Sequence, residues 1–154
     1  MGIKNTLSDK GFTRVQIVDQ KTGKIEGDSG WHQNMITNYG FDNCIVACPI
    51  GESGSIVANW MGLGSGSTAI ASDATNLNAS LGAGWWSTAA PTIVATLTGR
   101  LIQSFSSTDA VTIKEIGMKS VSNGSLICAN TFASSALATT QSVNCTYDLV
   151  YSRV

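Results

Sequence analysis

Charge is what this chain has least of. Only 12 % of its 154 residues are Asp, Glu, Lys or Arg, about half of the usual ~25 %. The nine Lys and Arg are spread from Lys4 to Arg153 and the formal net charge is −1. Nucleic-acid binding needs a clustered positive face to neutralise phosphates, so no nucleic-acid partner is expected. Long apolar runs are also missing. Nothing approaches the roughly eighteen residues of a membrane-spanning helix, and MGIKNTLSDKG lacks the apolar region of a secretory signal. The expectation is therefore no membrane, and synthesis in a reducing cytosol. Histidine occurs once, as His32.

With few charges, hydroxyls must cover the surface: Ser and Thr together number 35. Such a surface suits broad contact with other proteins, because few charges need desolvating. The length supports one domain with a real core. Residues 1–11 read as a polar N-terminal arm and 12–154 as a single domain.

The stretch Ile56 to Thr68, IVANWMGLGSGST, organises the rest. It begins with strand formers and runs into Gly62, Gly64 and Gly66 interleaved with Ser65, Ser67 and Thr68, which reads as a strand entering a loop. Ser72 to Gly82 follows as a capped turn or short helix. Around this core, Phe12 to Asp19 alternates with Val15 and Ile17 on one face, a half-buried strand. Lys21-Thr22-Gly23-Lys24 is a hairpin turn, with a return strand at Lys24 to Glu26. Trp31 to Pro49 is the one helix candidate, with Asn34 as N-cap and a stripe of Ile36, Tyr39, Gly40, Cys44, Ala47 and Cys48.

Thr92 to Ser106 reads as one long strand bent at Gly99. In Ala110 to Ser120 the apolar set changes parity, from Val111 and Ile113 to Ile116 and Met118. That places a bulge at Glu115, either a buried hydrogen-bonding acid or a charge guarding a sheet edge. Ser122-Asn123-Gly124 turns the chain into Ser125 to Phe132, with Leu126, Cys128 and Phe132 in phase. Ser134 to Gln141 reads as a loop. Val143 to Tyr151 alternates most regularly and is expected at the centre of a sheet. Together these predict a mainly β fold: an antiparallel, jelly-roll-like β-sandwich with one helix packed against it.

The usual chemical motifs fail one by one. No Lys-Ser or Lys-Thr follows the glycines, so they make no phosphate loop. The dinucleotide pattern is absent. The acids lie mostly in turns, where capping and solvated roles are ordinary. His32 has no nucleophile and acid beside it in sequence and reads as a structural or surface residue. Cys44, Cys48, Cys128 and Cys145 read as buried thiols. A disulfide remains an alternative, and so does a metal at Cys44 and Cys48, for which CxxxC is a weak signal without four ligands. No catalytic residue, cofactor or metal is expected. Trp85 and Trp86 would point to opposite faces of a strand; buried packing of both is the first expectation, and an exposed one is the candidate for partner or sugar contact.

In order along the chain, several segments resemble small structural proteins of tailed bacteriophages. NMITNYGFD (Asn34 to Asp42) is similar to their N-x-ITN-x-G-x-D opening. Met61 to Thr68 matches a strand ending in a G-x-G-(S/T) loop, followed here by Ala71 to Thr75 and Leu77. Ile113 to Met118 resembles an I-x-E-(I/A)-G strand, and Ser125 to Phe132 its partner, with Asn130 where a basic residue is usual. VNCTYDLVY resembles the closing strand. The resemblance covers roughly residues 30 to 152. It implies a virion protein that works by assembly, made in the bacterial host cytoplasm and carrying no enzyme activity. The first expectation is a capsid decoration or cement protein; the alternative is a tail or tail-fibre component that binds host glycan. Implied partners are copies of itself, as dimer or trimer, and the major capsid protein or tail proteins. The candidate contacts are Leu63, Gly64, Ser65 and Gly66 in the loop, the arm, and Trp85 or Trp86.

Overall fold

A computed structural model describes residues 7–46, 57–96, 98–121 and 123–153, with side chains from 10 to 150. In chain order the strands are β1 (Leu7–Asp19), β2 (Ile25–Asp28), β3 (His32–Gln33), β4 (Met35–Ile36), β5 (Trp60–Gly64), β6 (Trp86–Thr88), β7 (Pro91–Ala95), β8 (Thr98–Ser106), β9 (Val111–Lys119), β10 (Leu126–Leu137) and β11 (Gln141–Arg153). They form two antiparallel sheets. One runs β2-β1-β11-β8-β7, with β3 also pairing β1; the other runs β4-β10-β9-β5-β6. The expected sandwich is the fold observed.

The regular alternation of β11 places it between β1 and β8, with Val143, Cys145 and Tyr147 buried. Val15 and Ile17 of β1 and Leu101 and Phe105 of β8 face the same way. Met61, Leu63, Ile113, Ile116 and Met118 of the second sheet meet them across the core. Turn chemistry explains the first hairpin. Asp19 Oδ1 accepts from the N–H groups of Lys21 and Thr22, and Gly23 takes φ +71°, a conformation that costs glycine nothing.

A second apolar cluster lies on the other side of the second sheet. Ile70 and Leu77 pack with Trp86, Leu126 and Ala129. The segment 65–82 therefore lies over the outer face of that sheet at β5, β6 and the start of β10, and there the sheet is buried on both sides. Ser72 to Gly82 does so as turns rather than as a helix.

Five expectations need correction. Residues 7–11 of the expected arm are strand, because they already pair with β11; residues 1–6 lie outside the described residues. The helix does not begin at Asn34. That side chain is buried and donates to the Tyr147 hydroxyl at 3.1 Å, while β3 and β4 take the chain extended. Thr37 is the N-cap instead, accepting from Gly40 N at 3.1 Å. A short helix, α1 (Asn38–Gly40), then continues as π-helical turns through Val46. Ile36, Tyr39 and Cys44 of the expected stripe pack on the core; Ala47, Cys48 and Pro49 lie outside the described residues.

Thr92 to Ser106 is two strands, not one. β7 and β8 pair as a tight hairpin with Ala95 opposite Thr98, and Gly99 sits within β8 opposite Ile93. Leu126 is out of phase with Cys128, because the β9–β10 register slips between them; Leu126 joins the outer cluster and Cys128 the inner one. Ser134 to Leu137 continues β10, and only the turn at 138–140 separates it from β11.

Candidate contact surface

Leu63 is 0 % exposed and Gly64 is buried beside it. Along β5 the side chains alternate: Met61 and Leu63 point into the core, while Gly62 and Gly64 face outward. A Cβ on Gly62 would sit 2.2 Å from the Trp86 ring, and one on Gly64 would sit 2.4 Å from Glu115 Oε2. The glycines are there for space. Gly62 is also paired with Gly117, which pairs in turn with Ala129, so a strip of small residues crosses three strands beneath Trp86 and Leu77.

Glu115 is fully buried, 0 % exposed. It is the hydrogen-bonding acid that the parity shift marks, at a place where the pairing of β9 with β10 is irregular. Its Oε2 accepts from Gly66 N at 3.1 Å and Ala79 N at 3.0 Å, and its Oε1 accepts from Asn78 N at 3.1 Å. Ser65 N donates to Ala79 O at 2.8 Å. One carboxylate thus fastens both ends of the outer segment. Ser65 and Gly66 are half-buried within this clamp.

Trp85 and Trp86 do face opposite ways, yet neither is a free platform. Trp85 stacks on Phe105 of the inner core, with ring centroids 6.1 Å apart. Trp86 is buried in the outer cluster, its Nε1 donating to Ser80 Oγ at 3.0 Å. The Lys119 ammonium lies 4.3 Å from its ring centroid, and burial lowers the Lys119 pKa. Of the candidate contacts, then, Leu63, Gly64 and Trp86 are interior, and Ser65, Gly66 and Trp85 are half-buried. Their bulk and glycine content signal tight packing within the chain.

The exposed apolar groups lie elsewhere. Edge strand β7 is exposed along its whole length, with Ile93 at 89 %. Among the described residues it pairs only with β8, and it carries no charge to discourage pairing. Beside its first residue, Pro91, an apolar cleft of about 240 Å³ opens between the two sheets, lined by Ile45, Val57, Leu101, Ile127 and Leu149 among others. Val57 on its rim is 65 % exposed. Trp31 is also exposed, on the first sheet, with Arg14 and Arg100 within 6 Å of its ring.

Each of those arginines holds an aspartate. Arg100 reaches Asp148 through two 2.7 Å bonds. Arg14 Nε lies 3.0 Å from Asp28 Oδ1, and its hydrogen bonds hold the Asp28 carboxyl well below the usual carboxylate range. A lowered folded pKa stabilises above the unfolded value of about 4 and is lost as pH falls below it. Urea midpoints should therefore drop between about pH 5 and 2, and Arg14→Gln should flatten part of that drop. Asp19, lowered by its bonds to Thr22, keeps a slope of the same sign in the variant. Equal acid losses in parent and variant would remove Arg14 from the account.

Cys128 and Cys145 are buried thiols, 1 % and 0 % exposed. Burial pushes Cys128 up to about 12 and Cys145 up as well. Because the thiolate is the nucleophile, iodoacetamide at pH 8 should leave both unmodified in the folded protein and label both in denaturant, read by peptide mass. Rapid labelling of Cys128 before unfolding would contradict this packing. His32 is exposed, and its Nε2 donates to Ser29 O at 2.6 Å. Among the described residues no three His, Cys, Asp or Glu side chains come together; Cys48 lies outside them. Compared with family models, with curated proteins and with solved structures, the chain matches none.

Proposed function

We propose that this chain is a virion structural protein, and specifically a capsid decoration or cement protein that bridges neighbouring capsomers. The observation that carries the reading is the uncharged, exposed β7 edge beside an apolar cleft. A nearly naked Ile93 next to open backbone donors and acceptors suits strand addition or packing by another protein. The ordered resemblance to phage structural proteins adds to it, and so does the low charge. A cement protein acts mechanically, by adding buried area between capsomers without any chemical step. Symmetry at lattice positions favours dimers or trimers, and the expected location is the assembled virion.

Copy number tests this. Quantitative mass spectrometry of purified particles, scaled to the major capsid protein, should return hundreds of copies. A handful would place the protein in the tail and overturn the decoration reading. Ile93→Lys, which puts a charge on the edge, should weaken attachment to particles without unfolding the chain.

A further inference from the structure

Independently of that reading, we propose that a groove beside β10 binds a sugar acid, a polyhydroxylated ligand carrying a carboxylate. Two clefts, of about 270 and 410 Å³, lie on either side of Thr131, which lines both. The first is lined by Gln33 and Asn130 beside Met35 and Ile70; the Asn130 Nδ2 already donates to Thr13 Oγ1 at 3.0 Å, so the cleft's donor toward a ligand is the Gln33 amide. The second presents Lys114 and His32 with the Ser67 and Ser134 hydroxyls.

Three features of the fold build this groove. The β9–β10 register jumps from Thr131 opposite Glu115 to Ser135 opposite Ile113, and such a bulge re-aims the side chains around it. Glu115 holds Gly66 N, which fixes the neighbouring Ser67 in the wall. The Nε2–H of His32 is held by Ser29 O, which leaves Nδ1 as the ring's other polar edge. A wall fixed before binding costs less ordering when a ligand arrives.

The chemistry is one-sided. No Asp or Glu lines either cleft. Among the described residues Lys114 makes no ion pair. An ammonium among hydroxyls suits a carboxylate, and the amide half suits sugar hydroxyls, which both donate and accept. One Lys and one His are too few for a nucleic-acid backbone.

Amide chemical shifts on titration with N-acetylneuraminic acid or glucuronic acid test the proposal. The controls are N-acetylglucosamine and inorganic phosphate. Saturable shifts are expected at Ser67, Lys114 and Thr131, with a dissociation constant on the order of 1 mM. The neutral sugar should bind at least about 10-fold more weakly, and Lys114→Gln should remove that difference. Lys114 is half-exposed, so the variant should keep the parent's spectrum elsewhere. Three outcomes overturn the proposal: no saturation by about 20 mM acid, equal binding of the neutral sugar, or unchanged acid binding by Lys114→Gln. Phosphate producing the same shifts at the same concentrations overturns it too, since that would be an anion site without sugar recognition.

Discussion

Gly62→Ala should cost about 3 kcal/mol of stability, from overpacking alone. For a chain of this size that lowers Tm by roughly 10 °C. The added Cβ would lie 2.2 Å from Cδ2 of Trp86 and 2.4 Å from its Cε3. The indole has little room to retreat. Its outer side is packed with Ile70 and Leu77, and its Nε1 is tied to Ser80. Gly84→Ala is the control, because a Cβ there meets nothing within 4 Å; its midpoint should move by less than about 0.5 kcal/mol. Trp86→Leu is destabilising by itself, but in that background the alanine at position 62 should cost about 1 kcal/mol. Equal costs for Gly62→Ala with and without Trp86 would mean that the glycine serves backbone conformation and not space.

That distinction also explains what the sequence could show. Closely spaced glycines leading into serines ordinarily mark a loop through their backbone freedom, and here Gly62 and Gly64 belong to a strand. The partner that requires Gly62 is Trp86, more than twenty positions along the chain, so no local pattern reveals it. Burial of Leu63 and Trp86 was legible from their bulk, but the same non-locality hid their partners and left a contact role open beside it. By contrast, β1 and β11 alternate cleanly because each buries one face and shows the other, and their period survives translation into structure. The parity change between Ile113 and Ile116 was legible for the same reason: all four apolar residues of that set must reach one core, so an irregularity has to lie between them. The β7–β8 turn left no signal. Ala95 and Thr98 pair directly with no Gly, Asn or Pro between them, and the run reads as a single strand. The helix start misled because Asn34 suits a cap, whereas burial beside Tyr147 gave it another partner.

Glu115→Ala should cost still more, about 4 kcal/mol, because three backbone N–H groups lose their buried acceptor at once. The donors belong to Gly66, Asn78 and Ala79, at the two ends of the segment that covers the outer face of the second sheet. Glu115→Gln keeps the volume but turns one oxygen into an amide donor facing another donor, so it should cost roughly 2 kcal/mol. The loss should also be local before it is global. Amide exchange at residues 66, 78 and 79 should accelerate in both variants, while β11 amides such as that of Cys145 slow or quicken only with overall stability. If exchange at all these positions rose together, Glu115 would be one more buried side chain of the core. If the segment loosens first, the carboxylate is what closes the outer layer over Trp86. The wall at Ser67 should then open with it, and sugar-acid binding should fall in Glu115→Gln although Lys114 is untouched.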